Sequence, residues 1–565
     1  MRSAIFGEYN GFNYRFSASG LDAGERRTPN GSISHSEFQN RSFAGRIGYD
    51  WGDGEAWLKA DAFLGRIHIP SSEPPQGQIL YQRTPTAPKT VLNSRSVVTL
   101  DLPQWDRWGL AGGFELRNLT PYLTKIKFEA YFQNLKKDFY NTVFVNSWTG
   151  PIIIRNTINM HTFNDQDSYG GLLQTDWTFG DHQLIFGADY NRDEITALDE
   201  RPGNIIFTQM PNTAPPPPFT TTTIRTPYSS FTYRAVQSHL GLFLQDEWKI
   251  TPDFTATLGI RETWVTSDLQ DDGNNPLLRK SKISDSKPVG NIGLVYSGFN
   301  DVALRAVWSQ GYRFPPLNAL YFGTIHGSAN ATYPNPNLKP ETSNNFELGM
   351  RFGEGNLNFD IGAFVNMSKN YITVLPEGSI NRYTNTDQAQ TIGLELALSY
   401  NIPETGFTPY TSTTFLRRKF TNTITTQPRY RATERVRYST YDVGQPNLFG
   451  RVGVKFQHEF DNNFLFLSDV YLDWAIKSQQ YYYDSDNLHD FAGTGLPADL
   501  DYGFVTDESP AWTTFNLALG LEWGTDHRWN ATLALKNIFD RDYKIATNVI
   551  EEPGFHIVAG VGFEF

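Results

Sequence analysis

Segments of about ten residues with alternating apolar and polar side chains are the feature that most restricts the fold of this chain. In residues 55–64, one set of alternate positions is apolar, whereas the other includes Lys59 and Asp61. Such alternation is typical of a β-strand with two different faces, and about ten residues let a tilted strand cross a bilayer. A charge facing mid-bilayer lipid costs about 2–4 kcal/mol. The pattern therefore predicts membrane-spanning strands with an apolar outer face and a polar face toward a wet interior.

The composition narrows the class of protein. The 565 residues are 39% hydrophobic and 15% aromatic, with a formal net charge of −12 and no cysteine. No run of about 18 apolar residues occurs, which excludes transmembrane helices. The absence of cysteine excludes disulfides, cysteine-ligated metal sites and thiol nucleophiles. An acidic chain without a basic stripe argues against nucleic acid as a partner. This composition is typical of a bacterial outer-membrane barrel, although a secreted all-β protein could share it.

Short turns alternate with long polar connections along the chain. We place nine short turns near residues 52, 119, 180, 252, 299, 354, 404, 461 and 525. The longest connection covers about residues 199–235 and contains four consecutive prolines. A soluble sandwich or propeller places its strands more densely, every 8–12 residues or so. We therefore predict an all-β fold, a transmembrane antiparallel up-and-down β-barrel with short periplasmic turns and long extracellular loops. Nine turns imply about 20 strands, within a range of about 20–22.

Three segments resemble the barrel of TonB-dependent outer-membrane receptors. The first is GLFLQDEW at residues 241–248. The second, SQGYRFPPLNALY at residues 309–321 with NPNLKPETS at residues 335–343, is the most specific. The third is KNIFDRDY at residues 536–543, after which Phe555 stands where the family usually has arginine. These matches occur in the family's order over the whole chain.

The resemblance implies a plugged barrel of about 22 strands in the outer membrane of a Gram-negative bacterium. It implies a receptor rather than an enzyme, one that imports a nutrient such as a ferric siderophore or haem. The extracellular loops would capture this ligand, and the TonB system would pull on the plug. The siderophore or haem is transported cargo, so no resident cofactor or metal is expected.

One departure from the family concerns the plug. Neither a plug domain nor a TonB box corresponds to any segment, so we expect one barrel domain over residues 1–565. No apolar signal-peptide region is visible at the start, which is expected for a mature form or a fragment. Residues 12–19 resemble the family's third strand. We therefore expect a second polypeptide to supply the plug, the first β-hairpin or both, and the TonB system to act only through it. Outer-membrane lipid is the other expected partner.

Two alternative functions are compatible with the absence of a recognisable plug segment. The barrel could have lost transport and serve as an outer-membrane scaffold for a periplasmic or surface complex. It could also be a plugless diffusion channel. A bound nutrient would argue against the first alternative, and a sealed lumen would exclude the second.

Two positions near the second segment are candidate ligand contacts. Arg313 lies within the segment itself, and His326 lies between its two parts. This layout resembles that of haem receptors, which have a histidine between the two parts of the segment. An imidazole is a competent axial ligand of haem iron. A solvated loop histidine is the alternative interpretation of His326.

A second set of candidates is aromatic. Tyr481, Tyr482 and Tyr483 begin a long connection. Clustered tyrosine rings can stack on an aromatic siderophore or a sugar. An extracellular aromatic girdle at a strand end is the alternative interpretation.

An acidic group lies near residues 273–275. Asp268, Asp271 and Asp272 have the oxygen ligands that Ca²⁺ prefers, but a plain acidic turn is the interpretation we favour. No catalytic motif is present, and no metal site is predicted.

Overall fold

A computed structural model describes most of the chain. It covers residues 1–565 except 71–76, 83–89, 150–151, 202, 210–219, 226–228, 275–280, 323–331, 378–379, 427–433, 462, 484–503, 548–549 and 565. Strands dominate these described residues. None of the helical turns in them has the length and hydropathy that a membrane span requires.

The principal strands follow one another along the chain. They are β1 (Arg2–Tyr9), β2 (Phe12–Ala23), β3 (Phe38–Asp50), β4 (Gly54–Ile69), β5 (Thr90–Arg117), β6 (Leu123–Thr149), β7 (Ile152–Phe179), β8 (His182–Arg201), β9 (Ser229–Thr251), β10 (Phe254–Asp271), β11 (Lys282–Phe299), β12 (Val302–Arg313), β13 (Glu341–Glu354), β14 (Leu357–Lys369), β15 (Gln388–Tyr400), β16 (Phe407–Thr426), β17 (Leu448–Asp461), β18 (Phe464–Ala475), β19 (Trp512–Trp523), β20 (Trp529–Lys536) and β21 (His556–Phe563).

Each principal strand pairs with the next one in antiparallel register. Twenty such pairings join the 21 principal strands of the described residues into one continuous sheet. Shorter hairpins extend its loop end, including Arg26–Thr28 with Gly31–Ile33 and Ile372–Glu377 with Ile380–Asn385. The predicted all-β, antiparallel up-and-down barrel of about 20–22 strands is confirmed.

The two faces of the strands differ as the alternation predicts. On β4, Leu58 and Leu64 are 48% and 46% exposed, as expected of side chains that face lipid. On the opposite face, Asp61 forms an ion pair with Arg107 of β5, and Lys59 Nζ lies 3.4 Å from Asp61 Oδ1. Directly opposed residues of neighbouring strands share a face. The charged face therefore lines the lumen.

The short turns lie at one end of the barrel. Every predicted turn coincides with a junction between consecutive strands, from the junction of β3 and β4 to that of β19 and β20. The count of 21 principal strands lies within the predicted range of about 20–22, and it exceeds the estimate from nine turns by one strand, β1, which a further tight turn at Asn10 and Gly11 joins to β2. Both residues have positive φ, 50° and 79°. Positive φ at both central positions matches the tight turns of two-residue hairpins.

The two ends of the sheet meet at the long-loop side. The side chain of Asn30, between β2 and β3, donates a hydrogen bond of 2.8 Å to Asp542, between β20 and β21. The backbone of Gly554 donates to the carbonyl of Arg27 at 3.1 Å. The sheet therefore curves through a full turn, and these two loops link its ends.

No pairing joins β1 to β21 within the described residues. Successive antiparallel pairings separate the two strands, and their even number makes both strands run in the same direction. Direct pairing between them would therefore be parallel, whereas one interposed strand would pair with both in the antiparallel sense. Both strands are largely exposed along their lengths.

The strands on one side of the barrel are much longer than a bilayer requires. β6 and β7 contain 27 and 28 residues, compared with about ten needed for a tilted membrane span. Their loop-side halves therefore project beyond the apolar band. These projecting strands carry part of the candidate site described next.

Candidate functional site in the lumen and its mouth

The segment after β12 folds into the mouth of the barrel. Pro315 and Pro316 follow the strand, and proline cannot continue a hydrogen-bonded ladder. The Pro316 carbonyl accepts hydrogen bonds from the backbone of Ala319 and Leu320, which starts the π-helical turn Asn318–Phe322. The chain thus turns inward at the end of β12.

This inward segment packs on the barrel wall. Leu320 and Tyr321 are fully buried against a cluster that includes Ala235 of β9 and Val265 of β10, which are 0% and 1% exposed. Gln237 of β9 donates a side-chain hydrogen bond of 3.0 Å to the carbonyl of Pro315. A hydrophobic anchor and a polar contact therefore fix the segment to the wall.

The second part of the motif binds to the first. The backbone of Asn335 donates to the carbonyl of Ala319 at 2.8 Å, and its side chain donates to the carbonyl of Tyr383 at 2.9 Å. Leu338 is 6% exposed and belongs to the same hydrophobic cluster. We call residues 314–322 and 335–339 the mouth platform. Both parts have a structural role here, holding a rigid surface at the extracellular end of the lumen.

Arg313 lies at the edge of the mouth platform. Its side chain is 63% exposed, and Nη1 lies 3.5 Å from Glu341 Oε2. Glu341 also accepts a hydrogen bond of 2.7 Å from the backbone of Ile372. An exposed ion pair of this kind contributes little to stability, typically less than about 1 kcal/mol. Arg313 therefore has guanidinium donors available to a ligand at the mouth.

The other ligand candidates are only partly described. His326 lies outside the described residues. Tyr481, Tyr482 and Tyr483 end the strand Ser478–Tyr483, which pairs with Phe504–Ser509 in a two-stranded sheet apart from the barrel sheet. The Tyr481 ring meets the Tyr438 ring edge-on at 6.0 Å and packs beside buried Ile424. Burial there raises the pKa of the Tyr438 hydroxyl.

Two acidic residues at the end of β10 accept backbone hydrogen bonds within a turn. Asp271 accepts a hydrogen bond of 3.1 Å from the backbone of Gly273, and Asp272 accepts one of the same length from Asn274. These are the bonds of side-chain-stabilised turns. In the part of the chain that the structure describes, no three acidic or histidine side chains are grouped as metal ligands. The acidic-turn interpretation explains the observed contacts.

The lumen also contains a mixed group of charges and rings that sequence analysis missed. Arg451 of β17 pairs with Asp473 of β18, Nε to Oδ1, at 2.6 Å. The Arg451 guanidinium lies 4.1 Å from the centre of the Tyr471 ring, and the Lys536 ammonium contacts the same residue. Lys455 lies over the ring of Tyr410 at 5.0 Å. Alternation alone indicates that each of these residues faces inward, but it does not say which strands meet.

A second missed group lies on the outer wall, above the apolar band. His161 of β7 lies between two carboxylates, with Nε2 2.6 Å from Asp138 Oδ1 and Nδ1 3.0 Å from Glu200 Oε2. The Tyr140 ring stacks on the imidazole at 4.3 Å. Burial lowers the pKa of His161, but the hydrogen bonds to Glu200 and Asp138 outweigh it, and the net pKa is raised. The group therefore favours an imidazolium.

Comparison with known proteins decides the family. Residues 3–538 match the family described as TonB dependent receptor-like, beta-barrel. The chain belongs to this family. It is accordingly an outer-membrane protein of a Gram-negative bacterium, and its family consists of receptors and transporters.

The similar proteins are outer-membrane receptors. An iron-regulated outer membrane virulence protein of Vibrio cholerae is 30% identical over 178 residues, which is 29% of this chain and 25% of the relative. A hemoglobin and hemoglobin-haptoglobin-binding protein of Haemophilus influenzae is 29% identical over 119 residues, 19% of this chain and 11% of the relative. The chain thus matches a quarter or less of the length of these two curated relatives.

Solved structures support the fold of this receptor barrel. The copper transporter OprC is 16% identical with a TM-score of 0.69, and the match covers 100% of this chain and 78% of that one. The siderophore receptor PiuA from Acinetobacter baumannii is 14% identical with a TM-score of 0.65, covering 100% and 79%. At these identities the likeness shows the barrel architecture alone.

Proposed function

We propose that this receptor barrel takes up an iron complex, a ferric siderophore or haem, through its lumen. The observation that carries the proposal is the mouth platform. It anchors an exposed arginine, Arg313, at the entrance of a lumen lined by ion pairs. Ferric catecholate siderophores and the propionates of haem are anionic groups that a guanidinium recognises well. The names of several similar proteins, which refer to iron, siderophores or haemoglobin, support the same cargo.

Five residues are the proposed ligand contacts. They are Arg313, His326, Tyr481, Tyr482 and Tyr483. Of these, Arg313 has the strongest structural support, because its exposed side chain lies beside a fixed platform. The aromatic residues would contribute stacking surface, and His326 would serve only a haem ligand.

The proposal includes a partner for the open edges of β1 and β21. A strand from outside the 21 described ones would pair with both edges in the antiparallel sense. Unpaired backbone groups cannot remain exposed to the hydrocarbon region, since each costs several kcal/mol or so there. We further propose that the barrel forms one domain over residues 1–565 and that a plug segment outside it fills the lumen. Through that segment the TonB system would act.

Uptake by whole cells tests the cargo. Bacteria that lack their other iron receptors would carry the complete receptor, and growth would be followed with a ferric catecholate, a ferric hydroxamate, haem, cobalamin or Cu²⁺ supplied separately. We expect one of the iron compounds to support growth in a TonB-dependent manner. Arg313→Gln should raise the concentration required for half-maximal growth, whereas Arg313→Lys should retain most uptake.

Cobalamin, Cu²⁺, bilayer conductance and copurification distinguish the ways in which the iron proposal could fail. Uptake of cobalamin or Cu²⁺ alone would make the iron proposal wrong while retaining transport. Large, stable conductance in a planar bilayer without any uptake would favour the diffusion channel. Purification with periplasmic proteins in a fixed ratio and without any binding of the probes would favour the scaffold.

A further inference from the structure

Two basic residues lie next to each other on the outer face of β16. Arg417 and Lys419 occupy alternate positions that continue from Phe415, and alternate side chains of a strand share a face. In the strand register, Phe415 lies opposite Leu394 and Arg417 lies opposite Ile392, and both of these partners are exposed on the lipid side. Directly opposed residues share a face as well. Arg417 and Lys419 therefore project outward, away from the lumen.

The position of these residues along β16 corresponds to the extracellular boundary of the bilayer. The strand begins at Phe407, next to a short turn, and the stretch up to Phe415 is about as long as a tilted strand needs to cross the hydrocarbon. Arg417 is the first charged residue on the outer face of β16 after this stretch. It therefore lies at the level of the outer-leaflet headgroups, directly above an apolar surface.

The ring of Tyr441 brings the two cationic groups together. The guanidinium carbon of Arg417 lies 3.9 Å from the centre of this ring, and Nζ of Lys419 lies 5.8 Å from the same point. Cations are attracted to the face of an aromatic ring. A guanidinium that stacks on a ring keeps its in-plane N–H donors available to other partners. The two positive charges therefore share one small area of the outer face.

Other described residues do not neutralise these charges. Neither Arg417 nor Lys419 takes part in an ion pair within the described part of the chain. Asp387, beyond the extracellular end of β15, has its carboxylate 3.2 Å from Nε of Arg437. Asp442 follows the tyrosine in the chain, and in the same described part its carboxylate forms no ion pair with either cation. An anionic group at this place would therefore meet two available positive charges.

We propose that Arg417, Lys419 and Tyr441 bind the phosphorylated headgroup of an outer-leaflet lipid. The guanidinium donates hydrogen bonds to the phosphate oxygens in the bidentate manner typical of arginine, and the lysine adds a second positive charge. The acyl chains of the lipid cover the exposed side chains of Phe415 and Ile392. A free phosphate has the same headgroup chemistry, but it would not use this apolar surface. The inference is independent of the transported cargo.

Lipid retention tests the proposal. The complete receptor would be extracted from native outer membranes in mild detergent, delipidated, and mixed with bisphosphorylated lipid A or with its dephosphorylated form. Bound lipid would be counted by native mass spectrometry. We expect the phosphorylated form to be retained and the dephosphorylated form to be lost. The double variant Arg417→Gln/Lys419→Gln should lower retention about tenfold, which corresponds to about 1.4 kcal/mol.

Three further variants make the comparison specific. Arg418 lies between the two basic residues but faces the lumen, where it donates a hydrogen bond of 3.3 Å to Thr391. Arg418→Gln should therefore leave retention unchanged. The double variant Arg417→Lys/Lys419→Arg keeps both charges and should retain most binding, even if the glutamine variant folds poorly. Tyr441→Leu should lower retention about threefold, because it removes the ring that positions the guanidinium.

Three outcomes would overturn the proposal. The first is equal retention of the phosphorylated lipid by all variants. The second is a loss in Arg418→Gln as large as that in the double glutamine variant, which would indicate a non-specific effect of charge. The third is displacement of the lipid by millimolar inorganic phosphate, with phosphate alone bound through Arg417 and Lys419, which would indicate a small-anion site.

Discussion

Asn30 and Asp542 are joined by a hydrogen bond of 2.8 Å, although 512 residues separate them in the chain. Asn30 lies in the first loop after β2, whereas Asp542 lies in the last loop before β21. Asn30 also donates to Glu551 at 3.3 Å. The bond therefore links the two ends of the sheet at the extracellular side, directly above the open edges.

Removing this link should loosen both loops. Asn30→Ala deletes both side-chain bonds, and a hydrogen bond of this type contributes about 0.5–1.5 kcal/mol. We expect backbone hydrogen exchange in residues 24–37 and 540–555 to accelerate about two- to tenfold. Ser32→Ala in the same loop is the control and should not alter exchange. Unchanged exchange in both variants would show that the other contacts between these loops, from Gly554 to Arg27 and from Arg26 to Glu551, are sufficient to hold them together.

A new positive charge should destabilise the barrel much more on the lipid face than on the lumen face. Leu394 of β15 is 43% exposed on the lipid face, whereas its neighbour Glu395 faces the lumen. Leu394→Arg should cost about 2–4 kcal/mol of folding free energy, as charges near the bilayer centre do. Glu395→Arg should cost much less. Urea unfolding in lipid vesicles measures both, and equal destabilisation would contradict the assigned faces.

Two substitutions of Tyr321 should distinguish the contribution of packing to stability from that of hydrogen bonding. Its side chain is fully buried in the mouth platform, and no partner for its hydroxyl occurs among the described residues. Tyr321→Phe should therefore leave stability nearly unchanged. Tyr321→Ala should cost about 3–5 kcal/mol locally, like other large aromatic deletions. Hydrogen exchange over residues 314–322 reports the difference. Strong destabilisation by phenylalanine would instead reveal a buried partner of the hydroxyl.

The outer-wall histidine should make the projecting strands pH-sensitive. Because the pKa of His161 is raised in the folded protein, its contribution to stability is fully present below about pH 6.5. That contribution is lost as the pH rises through the raised value. NMR titration of His161 should give a midpoint above about 6.5, and the protection factors of amides near Asp138 and Glu200, which correct for the intrinsic pH dependence of exchange, should fall as the pH rises. His161→Gln should remove this dependence. A midpoint at or below the usual value would contradict the arrangement.

The positions of most turns and the faces of the strands could be predicted from local pattern. Lys59 and Asp61 were assigned to the lumen from alternation, and Asp61 does pair with Arg107 there. The turn at Asn10 and Gly11 was missed, because the strand before it begins at the start of the chain and shows little apolar alternation. The family resemblance rested on short sequence segments that keep their order along the chain even where overall identity is low.

The contacts of the candidate site were not predictable in the same way. Whether Arg313 meets Glu341, or Arg451 meets Asp473, depends on which strands are neighbours and in what register. His161 and its two carboxylates come from three strands and are 23 and 39 residues apart. Nothing in the local pattern of any one strand distinguishes these residues from other polar residues.

Strand alternation and tight turns are encoded locally, because a period of two residues and a turn-forming pair act within a few positions of the chain, and short motifs identify the family. The hydrogen bond between Asn30 and Asp542, the contact of Tyr441 with Arg417, and the pairing of charges in the lumen arise only when the sheet is assembled. Those relationships depend on register and on the curvature of the whole sheet, which sum over many strand pairings and are encoded in no single segment.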